Sequence, residues 1–363
     1  MKYNIRFMTI VVTAMLFNPS MISNFIYQVF KGLEHLGSEI QREFGKKVRG
    51  FVYDSSTDEE CIHRVFHKSC ASERKDWLSH HDPSVCWIES EAMTCTLSQY
   101  LNQELVQFSI EDCRRSLPNL FDGLKVSQRK ILYSVFRKPL NANGKSMKVA
   151  QLAGYCAEVS HYHHGEQCLF ETIIKMAHAF PGSNNIPYLE ADGQFGSRSY
   201  GGKDAANARY IFTKMTTLTR VLFPEEDDAL LEYETEDGEQ IEPVYYIPIL
   251  PTILGNGCIA GIGTGWSCSI PCYSFLDLAT HIEQWLDGLP WTQHESLVPY
   301  FHGFQGKIEY MGDGKYKSYG CLIAPEDNCQ KYPVWKITEL PLWCWTNKYK
   351  EELESLVEQK KIR

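Results

Sequence analysis

Apolar positions recur at helical spacing where the first clear element begins. Leu97, Leu101, Leu105 and Phe108 fall on one face when 3.6 residues make a turn. The polar residues between them occupy the opposite face. The pattern therefore predicts an amphipathic helix over residues 97–108 that packs on one side.

Three more helical patterns follow in quick succession. They predict helices over residues 128–136, 149–159 and 166–180, with Ser127 as the N-cap of the first. Short helices joined by a tight turn that contains glycine are typical of a helix-turn-helix, whose last helix reads DNA. The apolar side chains of the last helix that are predicted to point inward are Leu169, Ile173, Met176 and Phe180.

The segment after these helices is rich in glycine and contains strand-like pieces. The clearest piece is the sequence ARYIFT at residues 208–213. A glycine-rich hairpin that follows a helix-turn-helix is typical of a wing. The pattern then predicts a helix at 273–286, strands near 307–310 and 334–338, and a charged helix at 347–361.

The formal net charge of −9 hides a strong asymmetry along the chain. Residues 114–220 carry 15 Lys and Arg against 7 Asp and Glu, whereas residues 221–245 carry 10 acidic residues and no basic one. A uniformly basic nucleic-acid binder is excluded. A basic middle in an acidic chain favours one face that binds a polyanion.

Cysteine and histidine give no recognisable metal signature. The 13 cysteines include no CxxC pair, so they resemble small core residues in a reducing compartment rather than a disulfide framework or a zinc ribbon. His161, His163 and His164 have no second ligand group at the usual spacing. We therefore predict no metal-binding residues.

The N-terminus has some features of a signal peptide. Lys2 and Arg6 precede an apolar run at residues 8–17, but no small-residue cleavage site follows it. The run is also too short to span a bilayer. A buried strand or helix, or a misassigned start, explains it better than secretion does.

Four long blocks of sequence occur in a fixed order along the chain. They are RSLPNLFDGLKVSQRK, KVAQLAGYCAEVSHYHHGE, a segment containing GSNN and DGQFGSRSYGGKDAANARYIFT, and YIPILPTILGNGCIAGIGTGWSCSIP. In this order they resemble the breakage-reunion region of eukaryotic and viral type IIA DNA topoisomerases. The resemblance is strong over residues 97–350 and weaker over residues 31–96, and the runs YHHGE and RYIFT favour this branch over bacterial gyrases.

The resemblance implies an α+β fold in three parts. Residues 1–112 are expected to be an N-terminal remnant with a linker helix. Residues 113–220 are expected to form a winged helix-turn-helix that cleaves DNA. Residues 221–363 are expected to form an α/β tower domain that is truncated.

The resemblance also implies a reaction and a nucleophile. In the family, two protomers each use a tyrosine to cut one DNA strand, which leaves a 5′-phosphotyrosyl bond that is later resealed. Tyr210 matches that tyrosine, and Arg209 precedes it. A free phenol has a pKa of about 10, so it needs a neighbouring positive group or base to attack at neutral pH. Arg209 suits the phosphate charge, and His163 and His164 are candidates for phosphate contact or proton transfer.

Further residues match positions that contact DNA in the family. Ile262, in the run AGIGTGW, matches an isoleucine that wedges between base pairs and bends the duplex. Outside this context each lysine is an ordinary surface charge and Ile262 an ordinary core residue. The predicted phosphate contacts are Arg115, Lys125, Arg129, Lys130, Lys148 and Lys203.

The family needs ATP and Mg²⁺, but this sequence shows a site for neither. It contains no phosphate-binding loop of an ATPase and none of the acidic runs of the metal-binding TOPRIM module. Residues 31–50, which begin KGLEHLGSEI, resemble the segment that follows TOPRIM, whereas residues 1–30 do not match what precedes it. We therefore expect the chain to be incomplete at both ends relative to the family.

Three hypotheses remain open. The chain is part of an active topoisomerase, or a remnant that binds DNA but cuts only with a complete subunit, or a helix-turn-helix transcription regulator. A regulator has no need of the Arg209–Tyr210 pair. The expected partners are double-stranded DNA and either a second copy or a complete topoisomerase II protomer. The expected location is the nucleus, or a viral factory or the cytoplasm for a viral protein.

Overall fold

The computed structural model describes residues 50–82, 93–138, 144–290, 296–324 and 335–361. None of the described helices is both long and apolar enough to cross a membrane.

Two predictions concern residues outside the described part of the chain. These are the apolar run at residues 8–17 and residues 31–49 of the segment at 31–50 that resembles the family.

Helices and short paired strands alternate along the chain, which confirms the mixed α+β class. The helices are α1 Asp58–Phe66, α2 Ala71–Ser79, α3 with its three continuous parts Leu97–Tyr100, Leu101–Leu105 and Val106–Ser116, α4 Val126–Arg137, α5 Val149–Val159, α6 Glu166–Met176, α7 Thr217–Leu222, α8 Thr252–Gly255, α9 Phe275–Leu286 and α10 Thr346–Glu358. Single 3₁₀ turns are Arg198–Tyr200 and Glu225–Leu230.

The strands pair two by two in sequence order. β1 and β2 are parallel, the pairs β3–β4, β5–β6, β9–β10 and β11–β12 are antiparallel, and β7 pairs with β8. The strands are β1 Gly50–Val52, β2 Thr94–Thr96, β3 Met147–Lys148, β4 Phe212–Thr213, β5 Tyr233–Glu236, β6 Glu239–Pro243, β7 Cys258–Gly263, β8 Trp266–Ile270, β9 Lys307–Gly312, β10 Lys315–Tyr319, β11 Cys321–Ile323 and β12 Lys336–Glu339.

The chain divides into two compact units. Among the described residues, the first unit contains those up to Leu117 together with Ile262–Ser267, and the second contains those from Pro118 to Gly261 and from Cys268 onward. The predicted boundaries of the winged helix (residues 113–220) and of the tower (residues 221–363) stay a prediction.

The first unit packs α1 against α3 around a small core. The buried carboxylate of Asp58 accepts hydrogen bonds from the backbone N–H groups of Asp54 (2.8 Å) and Ser98 (2.7 Å), which fixes the start of α1 beside the start of α3. Burial alone would raise the pKa of Asp58. The hydrogen bonds from these amides lower the pKa by more than burial raises it, so the net pKa lies below 3.8. The core residues are Cys61, Val65, Cys95, Tyr100 and Leu101.

The predicted helix at 97–108 is longer than expected, and its buried face differs. A π-helical turn at Leu101–Leu105 inserts about one extra residue and so rotates the following residues by about 100°. Leu105 and Phe108 are only half-buried as a result. The fully buried positions are Tyr100, Leu101, Val106 and Ser109.

The second unit is built on α4, α5 and α6, which confirms the three predicted helices, with changed ends for α4 and α6. Ser127 is not the N-cap, because α4 begins at Val126 and the Gln128 side chain accepts a hydrogen bond from the Lys125 backbone N–H (2.9 Å). The last helix ends at Met176, so Phe180 lies beyond it and is half-buried.

The main core of the second unit lies between these three helices. Each large side chain there stabilises the fold by about 1.5–3 kcal/mol through burial. The helical core residues are Ile131, Leu132, Val135, Val149, Leu152, Ala153, Cys156, Leu169, Ile173 and Met176.

The C-terminal half of the second unit agrees with the predicted pattern. The helix predicted at 273–286 is α9, the strands predicted near 307–310 and 334–338 are β9 and β12, and the final helix is α10. A smaller core of Cys272, Phe301 and Leu342 lies in this part of the unit.

Candidate functional site

The segment predicted as a strand at 208–213 is a turn followed by a two-residue strand. The backbone N–H of Tyr210 donates to the Asn207 carbonyl (2.9 Å), and that of Arg209 donates to the Asn207 side-chain oxygen (3.1 Å). Ala208 and Ile211 are buried in the main core on either side. These five residues, which we call the tyrosine turn, present Arg209 and Tyr210 outward between two anchors.

Tyr210 is 76% exposed, so a packed structural tyrosine is the wrong interpretation of this position. Burying an aromatic side chain stabilises a fold, but the exposed Tyr210 side chain contributes little such stabilisation. The phenol is therefore accessible to a large substrate.

The tyrosine turn is fastened to the N-terminus of α5. The backbone N–H groups of Val149 and Ala150 donate to the carbonyls of Ile211 and Ala208 (both 3.0 Å). The N-terminus of a helix carries a partial positive charge. Negative charge that develops near the turn is stabilised by this end of α5.

A neighbouring chain segment completes the support. Phe212 exchanges two backbone hydrogen bonds with Asp192 (2.8 and 3.0 Å) and pairs on its other side with Lys148. Gly193 has a φ of +112°, and a Cβ there would lie 3.0 Å from the Ile211 side chain. Only glycine fits this close approach without strain.

The loop at residues 194–206 is braced by Asp204. Its carboxylate accepts hydrogen bonds from the Ser197 backbone N–H and hydroxyl (both 2.7 Å) and from the Gln194 side chain (3.0 Å). Burial raises the pKa of Asp204, but these donors lower it, so the net pKa lies below 3.8. The ionised carboxylate therefore holds the loop that carries Lys203 at neutral pH.

Several predicted phosphate contacts are exposed in the second unit. Lys148, Lys203 and Arg209 have exposed side chains, and the Lys148 Nζ lies 5.9 Å from the centre of the Phe212 ring. The Lys125 Nζ donates to the Ala260 carbonyl (3.3 Å). These cations suit contacts to a phosphate backbone, a role that stays a prediction.

Arg129 is a correction to the predicted phosphate contacts. It is buried and forms two hydrogen bonds with Asp122 (2.6 and 3.0 Å) and one with the Leu124 carbonyl (2.9 Å). Asp122 also accepts from the backbone N–H groups of Leu124 (2.9 Å) and Tyr246 (3.0 Å). The pair therefore fastens the chain before α4 to the segment after β6 and presents no charge to DNA.

Lys130 is a second correction of the same kind. Its buried Nζ donates to the Glu242 carboxylate (2.7 Å) and to the Ser160 carbonyl, so it joins α4 to β6 and to the end of α5.

The sequence held a signal for the burial of Arg129, because Leu132 and Phe136 lie three and seven residues further along the same helical face.

The two predicted histidines lie in the link between α5 and α6. The His163 Nε2 lies 3.1 Å from the Glu236 carboxylate, and the His161 Nε2 lies 3.3 Å from that of Glu239. The His164 ring meets the Tyr162 ring edge to face at 5.3 Å. The described partners of His163 and His161 belong to the hairpin β5–β6, which we call the acidic hairpin. Catalytic roles for His163 and His164 stay a prediction.

In the first unit, the tip between β7 and β8 presents Ile262. This side chain is 73% exposed, so the alternative of an ordinary core residue is wrong. The Asp112 carboxylate on α3 accepts hydrogen bonds from the backbone N–H and hydroxyl of Thr264 (both 3.0 Å). Gly263 packs on Cys113, since a Cβ there would lie 2.9 Å from its Cα. Arg115, on the same helix, is exposed.

The acidic side chains near the tyrosine turn already have partners. Asp204 holds the loop as described, Glu190 pairs with Lys214 (3.5 Å), and the Ser146 hydroxyl donates to Asp192 (2.9 Å). Within the described residues, no group of three carboxylates is close enough to hold one Mg²⁺.

Two protein families match this sequence. Residues 115–363 match the DNA gyrase/topoisomerase IV family, in its A-type chain. Residues 18–113 match the C-terminal associated domain of TOPRIM. The second match begins at residue 18, so the view that residues 1–30 lie outside the family pattern is wrong for residues 18–30.

Curated relatives and a solved structure extend these matches. DNA topoisomerase 2 of Invertebrate iridescent virus 6 is 42% identical over 344 residues, which is 92% of this chain and 29% of the relative. DNA topoisomerase 2 of Arabidopsis thaliana is 43% identical over 337 residues, 90% of this chain and 22% of the relative. This chain therefore spans less than a third of these relatives.

The solved structure is the topoisomerase II DNA-binding, cleavage and re-ligation domain of Plasmodium falciparum. It superposes with a TM-score of 0.74 at 44% identity, over 86% of this chain and 41% of that chain.

Proposed function

Because this chain belongs to the type II DNA topoisomerase family, we propose that it carries out reversible breakage and rejoining of double-stranded DNA with Tyr210 as the nucleophile. The observation that carries the proposal is the position of Tyr210. Its phenol is 76% exposed on a short turn that is anchored by buried residues on both sides. A nucleophile that must reach a bulky, rigid duplex needs this combination of exposure and fixed geometry.

The reaction exchanges one phosphodiester for another. The Tyr210 Oη attacks the scissile phosphorus, an O–P bond to tyrosine forms, and the bond from phosphorus to the 3′ oxygen breaks. The phenolic proton leaves, and the 3′ oxygen gains a proton to become a hydroxyl. Rejoining reverses each step, because the 3′ hydroxyl attacks the phosphotyrosine and releases the phenol.

Positive groups near the nucleophile stabilise the charge of the phosphate in transit. Arg209 adjoins Tyr210, and the N-terminus of α5 lies beneath the turn. A guanidinium is planar and permanently charged, so it suits the oxygens of a phosphate that passes through a transition state. The exposed Lys148 and Lys203 contact the phosphates of the duplex and position it without reading sequence.

His163 and His164 receive supporting roles in this proposal. A neutral imidazole accepts the phenolic proton, and a protonated one binds phosphate. The His163 Nε2 lies 3.1 Å from the Glu236 carboxylate, and this contact orients the ring.

Ile262 and Arg115 act on DNA geometry. An exposed isoleucine at the tip of a hairpin inserts between base pairs and bends the duplex, while a neighbouring arginine binds backbone phosphate. The hydrogen bonds from Thr264 to Asp112 keep the tip rigid enough to act as a wedge.

Mg²⁺ and ATP belong to the proposed activity of the whole enzyme. The described carboxylates do not fit a Mg²⁺ site beside Tyr210, so we derive no step through the metal. We propose that α4–α6 with the tyrosine turn form a winged helix at residues 113–220 and that a tower follows at residues 221–363. We also propose that the protein acts as a homodimer, or with a complete topoisomerase II protomer, on DNA in the nucleus or at a viral replication site.

The proposal is tested by trapping the covalent intermediate. The purified chain is mixed with supercoiled plasmid and Mg²⁺, quenched with detergent, and assayed for protein linked to DNA. Tyr210→Phe is compared with Tyr200→Phe, a matched control because Tyr200 is another exposed tyrosine in the same unit. We expect the adduct in the wild type and in Tyr200→Phe, but not in Tyr210→Phe.

An adduct that persists in Tyr210→Phe would overturn the assignment of the nucleophile. If the wild type binds duplex but gives no adduct, a TOPRIM-bearing protomer is added. An adduct on this chain then identifies a partner-dependent enzyme. Its continued absence leaves a DNA-binding remnant and refutes cleavage.

A further inference from the structure

Three metal-binding side chains meet at the junction of α1 and α2, away from the residues considered so far. His63 lies in the last turn of α1, His67 follows the helix directly, and Cys70 is the N-cap of α2. One ligand atom from each lies within 4.8 Å of the others. We propose that these three residues form a binding site for Zn²⁺.

The distances fit a shared tetrahedral ion. Zn–N bonds of about 2.0–2.1 Å and a Zn–S bond of about 2.3 Å place neighbouring ligand atoms roughly 3.3–3.6 Å apart. The His63 Nδ1 lies 3.4 Å from the Cys70 Sγ. The widest separation must close by about 1 Å, which rotation of an exposed histidine side chain supplies.

The two histidines are already arranged side by side. Their rings stack with centroids 4.4 Å apart and planes 15° apart. An imidazole nitrogen offers its lone pair to a metal, and the stacking brings the rings of both residues to the same place. The His67 Nδ1 lies 2.7 Å from the Ser69 hydroxyl, a contact that orients the ring.

Arg74 holds the backbone that carries these ligands. Its Nη1 donates to the carbonyls of Arg64 (3.1 Å), Val65 (3.3 Å) and His67 (2.6 Å), so the turn after α1 has a fixed path.

The donor set selects the metal. One thiolate and two imidazoles suit Zn²⁺, whereas Mg²⁺ and Ca²⁺ require oxygen ligands. Within the described residues the group has three protein ligands, which leaves the fourth position for water. The ion then ties the end of α1 to the start of α2 and is independent of DNA cleavage by Tyr210.

The spacing H-x₃-H-x₂-C is visible in the sequence. The prediction of no metal-binding residues rested on the absence of a CxxC pair and did not use this spacing. Residues four apart on a helix face the same side, so His63 and His67 were the available signal. Only the turn after α1 brings Cys70 back to them.

The full 363-residue chain tests the site with Co²⁺ as a spectroscopic substitute for Zn²⁺. We expect one equivalent of Co²⁺ to give a thiolate-to-metal charge-transfer band and tetrahedral d–d bands, both removed by one equivalent of Zn²⁺. Because His63→Gln and His67→Gln each remove one ligand, each should weaken Zn²⁺ affinity at least about tenfold. Cys70→Ser should abolish the charge-transfer band.

Matched controls separate this site from adventitious binding. His80→Gln changes another exposed histidine of the same unit, and Cys168→Ser changes an exposed cysteine of the other unit. In the wild type, excess Zn²⁺ should raise the Tm by about 5 °C. Both control variants should show the same Co²⁺ bands and the same rise in Tm. The exposed His63 and His67 keep the test valid even if loss of the buried Cys70 unfolds the unit.

Two results would refute the site. One is the absence of a thiolate band in the wild type. The other is a band that survives in His63→Gln and His67→Gln, or that disappears in Cys168→Ser.

Discussion

The tyrosine turn and the region around α4 use the same kinds of basic residue in opposite ways. Arg129 and Lys130 on α4 are buried and paired with carboxylates. Arg209 and Lys148, at the tyrosine turn and beside it, are exposed and make no ion pair with any described residue. Both regions belong to blocks that resemble the topoisomerase family. A family block thus contains charges that build the fold as well as charges that face solvent.

The acidic segment that follows the basic middle explains part of this difference. Asp228 pairs with Arg220 through two hydrogen bonds (2.9 and 3.1 Å), and Glu242 pairs with Lys130. The acidic hairpin also contacts His161 and His163. The acidic segment therefore pairs with Lys130 and Arg220, whereas the cations Arg209 and Lys148 stay exposed.

The largest effect is expected on the buried side of this comparison. Arg129→Ala leaves the Asp122 carboxylate buried without its cation, which should lower the free energy of unfolding by about 3–5 kcal/mol. Denaturant unfolding measures the change. A loss below about 1 kcal/mol would contradict the structural role of the pair.

Arg209→Ala should show the reverse behaviour. Because Arg209 is exposed, the free energy of unfolding should change by less than about 0.5 kcal/mol. Formation of the covalent adduct should fall by about 10²–10³-fold, the usual effect of losing one preorganised group that stabilises a transition state. Arg137→Ala, at another exposed arginine of the same unit, is the control and should leave cleavage unchanged. Equal adduct yields for Arg209→Ala and wild type would remove Arg209 from the mechanism.

Two lysines sharpen the comparison through salt dependence. Lys148→Ala removes an exposed cation, so the slope of log K against log salt for duplex binding should fall by about 1, whatever the DNA sequence. Lys130→Met removes a buried cation and should leave the slope unchanged. Filter binding or fluorescence anisotropy at several salt concentrations measures both slopes. A reduced slope for a folded Lys130→Met would show that Lys130 reaches phosphate after all.

The smallest effect concerns pH and the loop beside the tyrosine turn. Burial lowers the pKa of His178 below 6.5, and its Nε2 lies 2.7 Å from the Phe195 carbonyl. The unfolded chain therefore binds a proton first as the pH falls. The stability from neutral His178 is complete above pH 6.5 and is lost between 6.5 and the lower folded pKa. Unfolding free energies from about pH 7.5 to about pH 5 measure the loss, and His178→Gln should reduce it. An equal pH dependence in that variant would assign it to other groups.

Local patterns predicted most of the helices correctly. α5 has the predicted bounds because a single apolar face with clear breaks at both ends defined it. The predictions failed where contacts distant in sequence decided the outcome. The segment at 208–213 has strand-forming residues, yet hydrogen bonds to α5 fold most of it into a turn. The π turn in α3 likewise left no signal in the spacing of its leucines.

By itself, the sequence determined the family, the order of the elements and the identity of the candidate nucleophile, because these depend on residue types in a fixed linear order. The tertiary structure alone decided which charges are free. Arg129 and Arg209 are equally basic in the sequence, but only folding places Asp122 beside one and solvent beside the other. It also brought Cys70 to His63. Burial and pairing depend on partners that are distant along the chain, so no local pattern records them.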